Sequence, residues 1–465
     1  MPFSLAELTK NCRPPVAIDA AEVPKRNDIL IVLDDDPTGT QSVRDLPVLT
    51  RWTQEDMEWA FSQGAPAIYV MTNSRSLSPE DARRINEDVA RSALAASEGR
   101  KLSFVSRSDS TLRGHFPLEP DTLAEISHEH GEDVDGYLLV PAFPDAGRVT
   151  IDGVHYAGSK LDGFSPVAET EFAQDASFGY HSSKLNEWVE EKTEGRVPAS
   201  DVLSISLDTL RAGKAADVLQ AATDQSPIVV DVVTEEDLRL LAVALHVAES
   251  SGKKFIYRVG PPFVRAVIGQ DIPAVVDEQS LENAGVTQDH LVGGLIVVGS
   301  HVPTTTRQLN ALVASDLATI FELDVHKVLD DESGYVDALA KKIVQTLEHG
   351  NAVLHTSRTL VTGKNEDDSL RIARTVSAAL VSAVNKVVTT STPKFVIAKG
   401  GITSSDTASR GLEMTRATVV GPMQPGIISL WKSEDGPAEG IPYIVFAGNV
   451  GNDQSLVDVV SRLSN

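Results

Sequence analysis

Short apolar runs rich in β-branched residues recur along the chain, and they constrain its fold more than any other feature. The runs lie at residues 29–33, 67–71, 102–105, 137–140, 228–233, 295–298, 352–354, 395–398 and 444–447. Longer stretches with apolar residues at helical spacing separate most of them, at residues 79–95, 235–249, 336–348 and 369–387. Such alternation is typical of parallel sheets covered on both faces by helices. The sequence therefore predicts the α/β class.

The chain is long enough for more than one domain, since 465 residues correspond to two or three domains of ordinary size. The alternating pattern weakens between residues 259 and 294, where Pro261, Pro262 and Pro273 interrupt it. We therefore predict an N-terminal domain at residues 1–275 and a C-terminal domain at residues 276–465. Each should contain a mainly parallel sheet flanked by helices, with a cleft between the domains.

Charge and composition limit the classes of partner. The chain has 66 acidic and 41 basic residues, a formal charge of −25, whereas nucleic acids and anionic membranes require a basic face. The N-terminus lacks a signal-peptide pattern, and we find no apolar run of about 18 residues that could span a membrane. We expect a cytoplasmic protein without a nucleic-acid or membrane partner. The sequence is compatible with a homodimer but does not fix the oligomeric state.

Three adjacent carboxylates, Asp34, Asp35 and Asp36, follow the first apolar run and precede the turn Pro37-Thr38-Gly39. In parallel sheets, ligands bind beyond the carboxyl ends of the strands. Neighbouring carboxylates repel one another unless a cation, a hydroxylated ligand or backbone donors stabilise them. The pattern predicts that Asp35 or Asp36 holds and deprotonates a substrate hydroxyl. The alternative is an acidic turn with no function beyond the bend.

Arginine and hydroxyl side chains follow other runs of the first domain. They are Arg75, then Asp109, Ser110 and Arg113, and finally Arg148. The planar arginine fork can bind a carboxylate, and Ser and Asp can bind hydroxyls. Together these residues predict a pocket for a polyhydroxy acid, although Ser and Asp at these positions could instead cap helices.

Glycine-rich turns follow three runs of the second domain, at residues 299–306, 399–406 and 448–453. A strand, a glycine turn and a helix N-terminus together present free N–H groups to an anion. The alternative is that these glycines only form tight turns. The sequence has no P-loop motif, no G-x-G-x-x-G motif after a strand and no metal-ligand constellation. We therefore predict no protein metal site.

These motifs, in this order, resemble those of the four-carbon acid sugar kinase family. The matching stretches are residues 35–39, 109–114, 299–300, 400–404 and 448–451. The resemblance implies that the N-terminal domain binds a sugar acid through Asp35, Asp36, Arg75, Asp109, Ser110 and Arg113. It also implies that the C-terminal domain binds ATP through Ser300, Gly400, Gly401, Ile402, Thr403, Gly448 and Gly451.

The resulting hypothesis is an ATP-dependent kinase that phosphorylates a hydroxyl of a small four-carbon sugar acid, such as a tetronate or 3-oxo-tetronate. Domain closure would bring the hydroxyl in line with ATP, and Mg²⁺ and loop N–H groups would neutralise charge on the transferring group. Two alternatives remain at this point. One is a non-catalytic protein that binds a sugar acid or nucleotide. The other is a dehydrogenase or aldolase acting on phosphorylated sugar acids.

Overall fold

The computed structural model describes residues 2–285, 291–330, 334–358, 361 and 363–464. The chain forms two compact units, Met1–Val43 with Trp52–Pro273 and Arg44–Arg51 with Ala274–Asn465. Most of the second unit thus lies after Ala274, and it also includes a short segment of the N-terminal half that the sequence pattern does not predict. That segment joins the second unit because it supplies a strand to its sheet.

The strands in chain order are β1 Ile29–Asp34, β2 Leu46–Leu49, β3 Ala67–Met71, β4 Leu102–Arg107, β5 Gly136–Val140, β6 Arg148–Ile151, β7 Val154–Ser159, β8 Gly163–Pro166, β9 Leu203–Ile205, β10 Ser226–Val230, β11 Phe255–Val259, β12 Leu295–Val298, β13 Ala318–Leu323, β14 Asn351–Thr356, β15 Val396–Lys399, β16 Arg416–Gln424, β17 Ile428–Ser433 and β18 Pro442–Phe446. All nine predicted runs coincide with or overlap a strand.

The helices are α1 Leu5–Thr9, α2 Gln54–Ser62, α3 Pro79–Ala96, α4 Leu118–Glu129, α5 Leu185–Lys192, α6 Leu207–Arg211, α7 Ala215–Ala221, α8 Glu235–Ser250, α9 Pro262–Val267, α10 Glu278–Asn283, α11 Pro303–Ala314, α12 Val325–Leu329, α13 Tyr335–Leu347, α14 Glu366–Thr390, α15 Gly401–Asp406 and α16 Ser455–Ser464. Local signals explain their starts. Ser78 accepts the Asp81 N–H at 3.2 Å and precedes Pro79, which suits a first helical position.

The first unit contains an all-parallel sheet in the order β3-β1-β4-β11-β5-β10-β9. Its central strand β1 is apolar on both faces, and Leu30, Ile31 and Val32 are fully buried. Strands β6, β7 and β8 form a separate antiparallel sheet. This small sheet lies between β5 and β9, within residues 143–200, a segment that we call the excursion.

The second unit contains the order β13-β14-β12-β15-β18-β17-β16-β2. The first five strands in this order, β13, β14, β12, β15 and β18, are parallel to one another. Strands β17, β16 and β2 continue the sheet in antiparallel pairing. Its core packs Ile296, Ile397 and Ile444 against Leu309 of α11 and Leu456 of α16. The predicted α/β class, with a mainly parallel sheet flanked by helices in each unit, is confirmed.

One helix within the described residues is long and apolar enough to cross a membrane by length and composition alone. It is the part of α14 from Arg371 to Thr390, with a mean hydropathy of 1.2. Leu380, Val384 and Val387 on this helix are buried within the protein. Core helices of soluble proteins pass the same test, so the expectation of no membrane partner stays a prediction.

Candidate functional site

The carboxyl ends of four strands in the first unit meet at one edge of its sheet. Asp34 of β1 lies beside Met71 of β3 and Arg107 of β4, and Arg107 lies beside Val259 of β11. The segments that follow these strands therefore converge. They contribute an acid–arginine cluster that consists of Asp34, Asp35, Asp36, Arg75, Arg107, Asp109, Arg113, Glu119 and Arg258.

Two buried ion pairs form the base of the acid–arginine cluster. Arg107 contacts the Asp34 carboxylate, and the two side chains are 3% and 2% exposed. Arg258 Nη1 lies 2.6 Å from Glu119 Oε2, with side chains 5% and 3% exposed. Gly39 packs so tightly against the first pair that a Cβ there would overlap Asp34 and Arg107. The glycine of the predicted turn is thus required by close packing.

Asp36 is held by local hydrogen bonds and one arginine. Its Oδ1 accepts the Thr38 N–H at 2.9 Å and the Thr38 hydroxyl at 2.6 Å, and its Oδ2 pairs with Arg75. Arg75 Nη1 also lies 3.7 Å from Asp109 Oδ1. These contacts give Asp36 a role as a turn-stabilising carboxylate. They also engage the guanidinium of Arg75, which sequence reasoning assigned to the substrate.

Asp35 differs from its neighbours because its carboxylate makes no hydrogen bond to any described residue. Both of its oxygens are buried, and the side chain is 2% exposed. The nearest cationic atoms are Arg107 Nη2 at 3.4 Å and Arg75 Nη1 at 4.0 Å. Burial raises the pKa of the Asp35 carboxyl to about 7, although Arg75 opposes the shift. A carboxyl with that pKa is suited to accept a proton near neutral pH.

Asp109 connects the acid–arginine cluster to a pair of arginines around an aromatic ring. Although burial opposes it, Arg75 and Arg113 hold the pKa of the Asp109 carboxyl down to about 2. Arg113 Nε lies 2.7 Å from Asp109 Oδ2. The guanidinium carbons of Arg113 and Arg148 lie 5.3 Å and 5.7 Å from the centre of the Phe172 ring, which is within cation–π range.

Arg148 has no carboxylate partner among the described residues, in contrast to the arginines of the acid–arginine cluster. Its Nη1 contacts the Ala146 carbonyl, and its Nε is buried without a hydrogen-bond partner within the described chain. Burial lowers the pKa of this guanidinium below its usual value. Arg148 therefore carries a partly buried positive charge that an anionic ligand could neutralise.

The loop at residues 109–114 is fixed by side chains from the excursion. His155 Nε2 lies 2.8 Å from the Ser110 carbonyl, and the Tyr180 hydroxyl donates to the Thr111 carbonyl at 2.7 Å. Burial lowers the pKa of His155 to about 4, so the neutral ring donates from Nε2 and accepts from Thr150. Ser110 thus contributes a backbone contact to this arrangement. His155, Tyr180 and Phe172 were not found from the sequence.

Gly114 ends the same loop at a position that no other residue could fill without strain. Its φ is +117°, which side chains rarely adopt. A Cβ at this position would lie 2.8 Å from Arg258 Nη2 and 3.3 Å from Asp35 Oδ2. The glycine therefore permits the close approach of the loop to Asp35.

Tyr180→Phe should lower the free energy of unfolding by about 0.5–1.5 kcal/mol, the usual net contribution of one hydrogen bond. The change removes only the hydroxyl that binds the Thr111 carbonyl. Urea denaturation of the wild type and the variant measures it. Tyr156→Phe on β7 is the matched control, because its ring is only partly buried, and an equal loss in both variants would contradict the assigned contact.

The three glycine turns of the second unit also converge, because β12, β15 and β18 are neighbours in its sheet. Ser300 lies between the other two turns. A Cβ on Gly400 would lie 3.0 Å from Ser300 Cβ, and a Cβ on Gly448 would lie 2.6 Å from Ser300 Oγ. The φ of Gly400 is +127°. These glycines are required by the close approach of the turns.

The remaining residues that were predicted to bind the nucleotide lie on the same turns. Gly401, Ile402 and Thr403 form the first turn of α15, whose N–H groups lack intrahelical acceptors by geometry. Ile402 is 66% exposed, whereas the Thr403 hydroxyl lies against Gly299. Gly451 has φ +80°, and a Cβ there would lie 2.5 Å from Ser455 Oγ.

Arg358, which no sequence motif indicates, adds a cation to this edge of the second sheet. Its Nη1 donates to the Ser300 carbonyl at 2.8 Å, and its Nη2 donates to the Thr306 hydroxyl at 2.7 Å. Burial lowers the pKa of Arg358, and burial together with Arg358 lowers the pKa of His301. No group of three or more His, Cys, Asp or Glu side chains in the described part of the chain could hold a metal ion.

Each of the two units contains a segment that matches the model of a known protein family. Residues 30–267 match the family described as Sugar-binding N-terminal domain, and residues 295–456 match the Nucleotide-binding C-terminal domain. A D-erythronate kinase of Heliobacterium modesticaldum is 28% identical over 266 residues, which cover 57% of this chain and 54% of that protein. This chain thus spans about half the length of that relative. A D-threonate kinase of Bordetella bronchiseptica is 25% identical over 406 residues, or 84% of this chain and 85% of that protein.

Two solved structures share the fold. A Haemophilus influenzae protein superposes with a TM-score of 0.62 at 16% identity, over 94% of this chain and 99% of that chain. A Salmonella typhimurium protein superposes with a TM-score of 0.66 at 17% identity, over 92% of this chain and 98% of that chain. At these identities the likeness establishes the architecture alone.

Proposed function

Because the chain belongs to the four-carbon acid sugar kinase family, we propose that it transfers a phosphoryl group from ATP to a hydroxyl of a four-carbon sugar acid, such as D-erythronate or D-threonate. The kinase names of its relatives support the reaction type. The observation that carries the proposal is the Asp35 carboxylate. It is buried, lacks a hydrogen bond to any described residue and has a pKa of about 7.

Asp35 accepts the proton of the acceptor hydroxyl in this proposal. Phosphoryl transfer depends mainly on positioning and electrostatic stabilisation, with one residue to orient and deprotonate the nucleophile. Asp36 is instead held in its turn by hydrogen bonds from Thr38 and by its pairing with Arg75. The sequence could not choose between the two carboxylates. Their different hydrogen bonding favours Asp35 as the base.

Arg148 binds the carboxylate of the sugar acid, because its charge has no carboxylate partner among the described residues. Arg113, whose guanidinium also lies near the Phe172 ring, is paired with Asp109 and contributes through its remaining donors. Arginine is well suited to this contact because its planar fork matches a carboxylate. Arg75 acts mainly on Asp35, Asp36 and Asp109, so we propose a positioning role for it.

The glycine turns and Arg358 are suited to bind the phosphates of a nucleoside triphosphate. Glycines at 400 and 448 allow the turns to approach Ser300 closely, and Arg358 supplies positive charge. ATP would supply the phosphoryl group, and a Mg²⁺ ion bound with it would neutralise its charge, since magnesium in such sites is usually held by phosphate oxygens and water. We also propose a cytoplasmic location. The homodimer and the absence of nucleic-acid partners stay predictions.

Arg148→Met should raise the KM for the sugar acid by about tenfold or more, because a charge-assisted bond to the carboxylate is lost. The KM for ATP should stay near the wild-type value. Steady-state assays with each substrate varied measure both constants. Arg196→Met, at an exposed ion pair with Asp121, is the control, and equal KM values for the acid in both variants would contradict the assignment.

ADP formation across a panel of four-carbon acids tests the function itself. A kinase releases ADP only when an acceptable acid is present, and a phosphorylated acid appears in equal amount. A protein that merely binds the acid and the nucleotide would give no acid-dependent ADP. That outcome would replace the kinase proposal with the binding-protein alternative.

A further inference from the structure

Three buried side chains hold the last glycine turn of the second unit by its carbonyl groups. Lys399 Nζ donates to the Ala447 carbonyl at 2.6 Å, and Thr305 Oγ1 donates to the Gly448 carbonyl at 2.8 Å. Gln308 Nε2 donates to the carbonyls of residues 450 and 452 at 2.9 Å and 2.8 Å. Lys399, Thr305 and Gln308 are each 0% exposed. We call these three residues the carbonyl anchors.

The carbonyl anchors determine where the N–H groups of the turn point. In a planar trans peptide, the C=O and the N–H lie on opposite sides of the chain. The N–H groups of Gly448, Asn449 and Gly451 belong to peptides whose carbonyls bind the anchors. They therefore point away from the anchors. Several N–H groups on one side of a glycine turn form the concavity that binds anions such as phosphate.

A lysine is rarely fully buried, as Lys399 is, unless its amine forms an ion pair or a hydrogen bond. Its side chain lies at the end of β15, with Nζ 3.7 Å from the centre of the Phe446 ring. No described carboxylate pairs with it, and burial lowers the pKa of its amine to about 7. An apolar side chain of similar volume would avoid the desolvation cost of the amine. The hydrogen bond to Ala447 gives the lysine a specific task.

We infer that Lys399, Thr305 and Gln308 are positioning residues for the nucleotide, because they direct the N–H groups of residues 448–451 towards its phosphates. This inference rests on the proposed function and adds three residues to it. None of the three touches the phosphates. Each acts through the backbone of the turn, so its removal should weaken nucleotide binding without changing sugar-acid binding.

Thr305 offers a nearly isosteric test. Thr305→Val removes the hydroxyl that binds the Gly448 carbonyl and keeps the shape of the side chain, whereas Thr305→Ser keeps the hydroxyl. The valine variant should raise the Kd for ADP and the KM for ATP by roughly fivefold to tenfold, the effect of one lost hydrogen bond. The serine variant should stay within about twofold of the wild type, and both should keep the wild-type KM for the sugar acid.

Lys399→Met gives a second and larger test at similar volume. Measured below about pH 7, where the Lys399 amine is charged, the change should raise the Kd for ADP by roughly tenfold to a hundredfold, because hydrogen bonds from charged groups contribute more than neutral ones. Titration calorimetry with ADP measures the affinity of folded protein directly, so a loss of stability alone would not change it. Circular dichroism confirms that each variant is folded at the assay temperature.

The outcomes separate this inference from the function on which it rests. Wild-type ADP affinity in both Thr305→Val and Lys399→Met would overturn the positioning role and leave the kinase proposal intact. Failure of the wild-type protein to bind ADP would overturn both. A rise in the KM for the sugar acid equal to that for ATP would show a general structural effect and would also overturn the inference.

Discussion

Asp35→Asn should reduce kcat by about 10²- to 10⁴-fold, the usual contribution of general acid–base catalysis. Asparagine has nearly the same shape as aspartate and cannot accept the proton. The contacts of Arg75 with Asp36 and Asp109 are independent of this side chain. Acid-dependent ADP release at saturating substrates measures the change. Wild-type kcat in this variant would show that the base is wrongly assigned.

The same variant should not lose stability, which separates catalysis from folding. The pKa of Asp35 in the folded protein is about 7, above the value of about 3.9 expected in the unfolded chain. A carboxyl with a raised folded pKa contributes stability that is present below about pH 4 and is lost as the pH rises through about 7. Asparagine does not ionise. Asp35→Asn should therefore be at least as stable as the wild type at about pH 8.

Asp36→Asn is the comparison that the neighbouring carboxylate offers. Asp36 accepts two hydrogen bonds from Thr38 and pairs with Arg75. Compared with Asp35→Asn, we expect this variant to lose less kcat and to lose a measurable part of its free energy of unfolding. A larger loss of kcat in Asp36→Asn than in Asp35→Asn would exchange the roles assigned to the two carboxylates.

Glu119→Ala should lower the free energy of unfolding by about 3–5 kcal/mol, the usual cost of breaking a buried ion pair by removal of one partner. Its carboxylate accepts hydrogen bonds from Ser74, Ser106 and Arg258. Removal leaves the Arg258 guanidinium, 5% exposed, without its carboxylate. Urea denaturation monitored by circular dichroism measures the change.

Glu125→Ala on the same helix α4 is the matched control. Glu125 is 53% exposed and pairs with Arg83 at the surface, where ion pairs contribute little. Its loss should change the free energy of unfolding by less than about 1 kcal/mol. Similar losses in the two variants would contradict the buried pair as a main determinant of stability in the first unit.

The strands that the sequence predicts best are those buried on both faces. A strand that is buried on both faces has a continuous run of apolar residues, as in β1 and β12, and this run is visible in the sequence. Strand β11 was missed because Arg258 interrupts its apolar character, and β13 because it is partly exposed. The antiparallel strands β16 and β17 lacked such runs. Pairing of β2 with β16 joins distant segments, which local patterns do not reveal.

The residues of the candidate site likewise fall into two groups: some stand in local sequence motifs, and others depend on contacts between residues far apart in the sequence. Asp35, Asp109 and Arg113 stand in compact motifs after strands, so the sequence could locate them. The partnership of Arg258 with Glu119 joins residues 139 positions apart, and no spacing rule predicts it. His155 and Tyr180 act through backbone carbonyls of a loop that the fold brings to them. Hydrogen bonding in the folded chain was also needed to distinguish Asp35 from Asp36.

The pH dependence of kcat/KM for the sugar acid, at saturating ATP, tests the role of Asp35 most directly. A base must be deprotonated to act, so kcat/KM should be constant above about pH 7 and fall about tenfold per pH unit below it. The residual activity of Asp35→Asn should lack this decline, whereas ionisation of the nucleotide would affect both proteins. A wild-type profile that is flat through pH 7, or a decline that persists in Asp35→Asn, would contradict Asp35 as the proton acceptor.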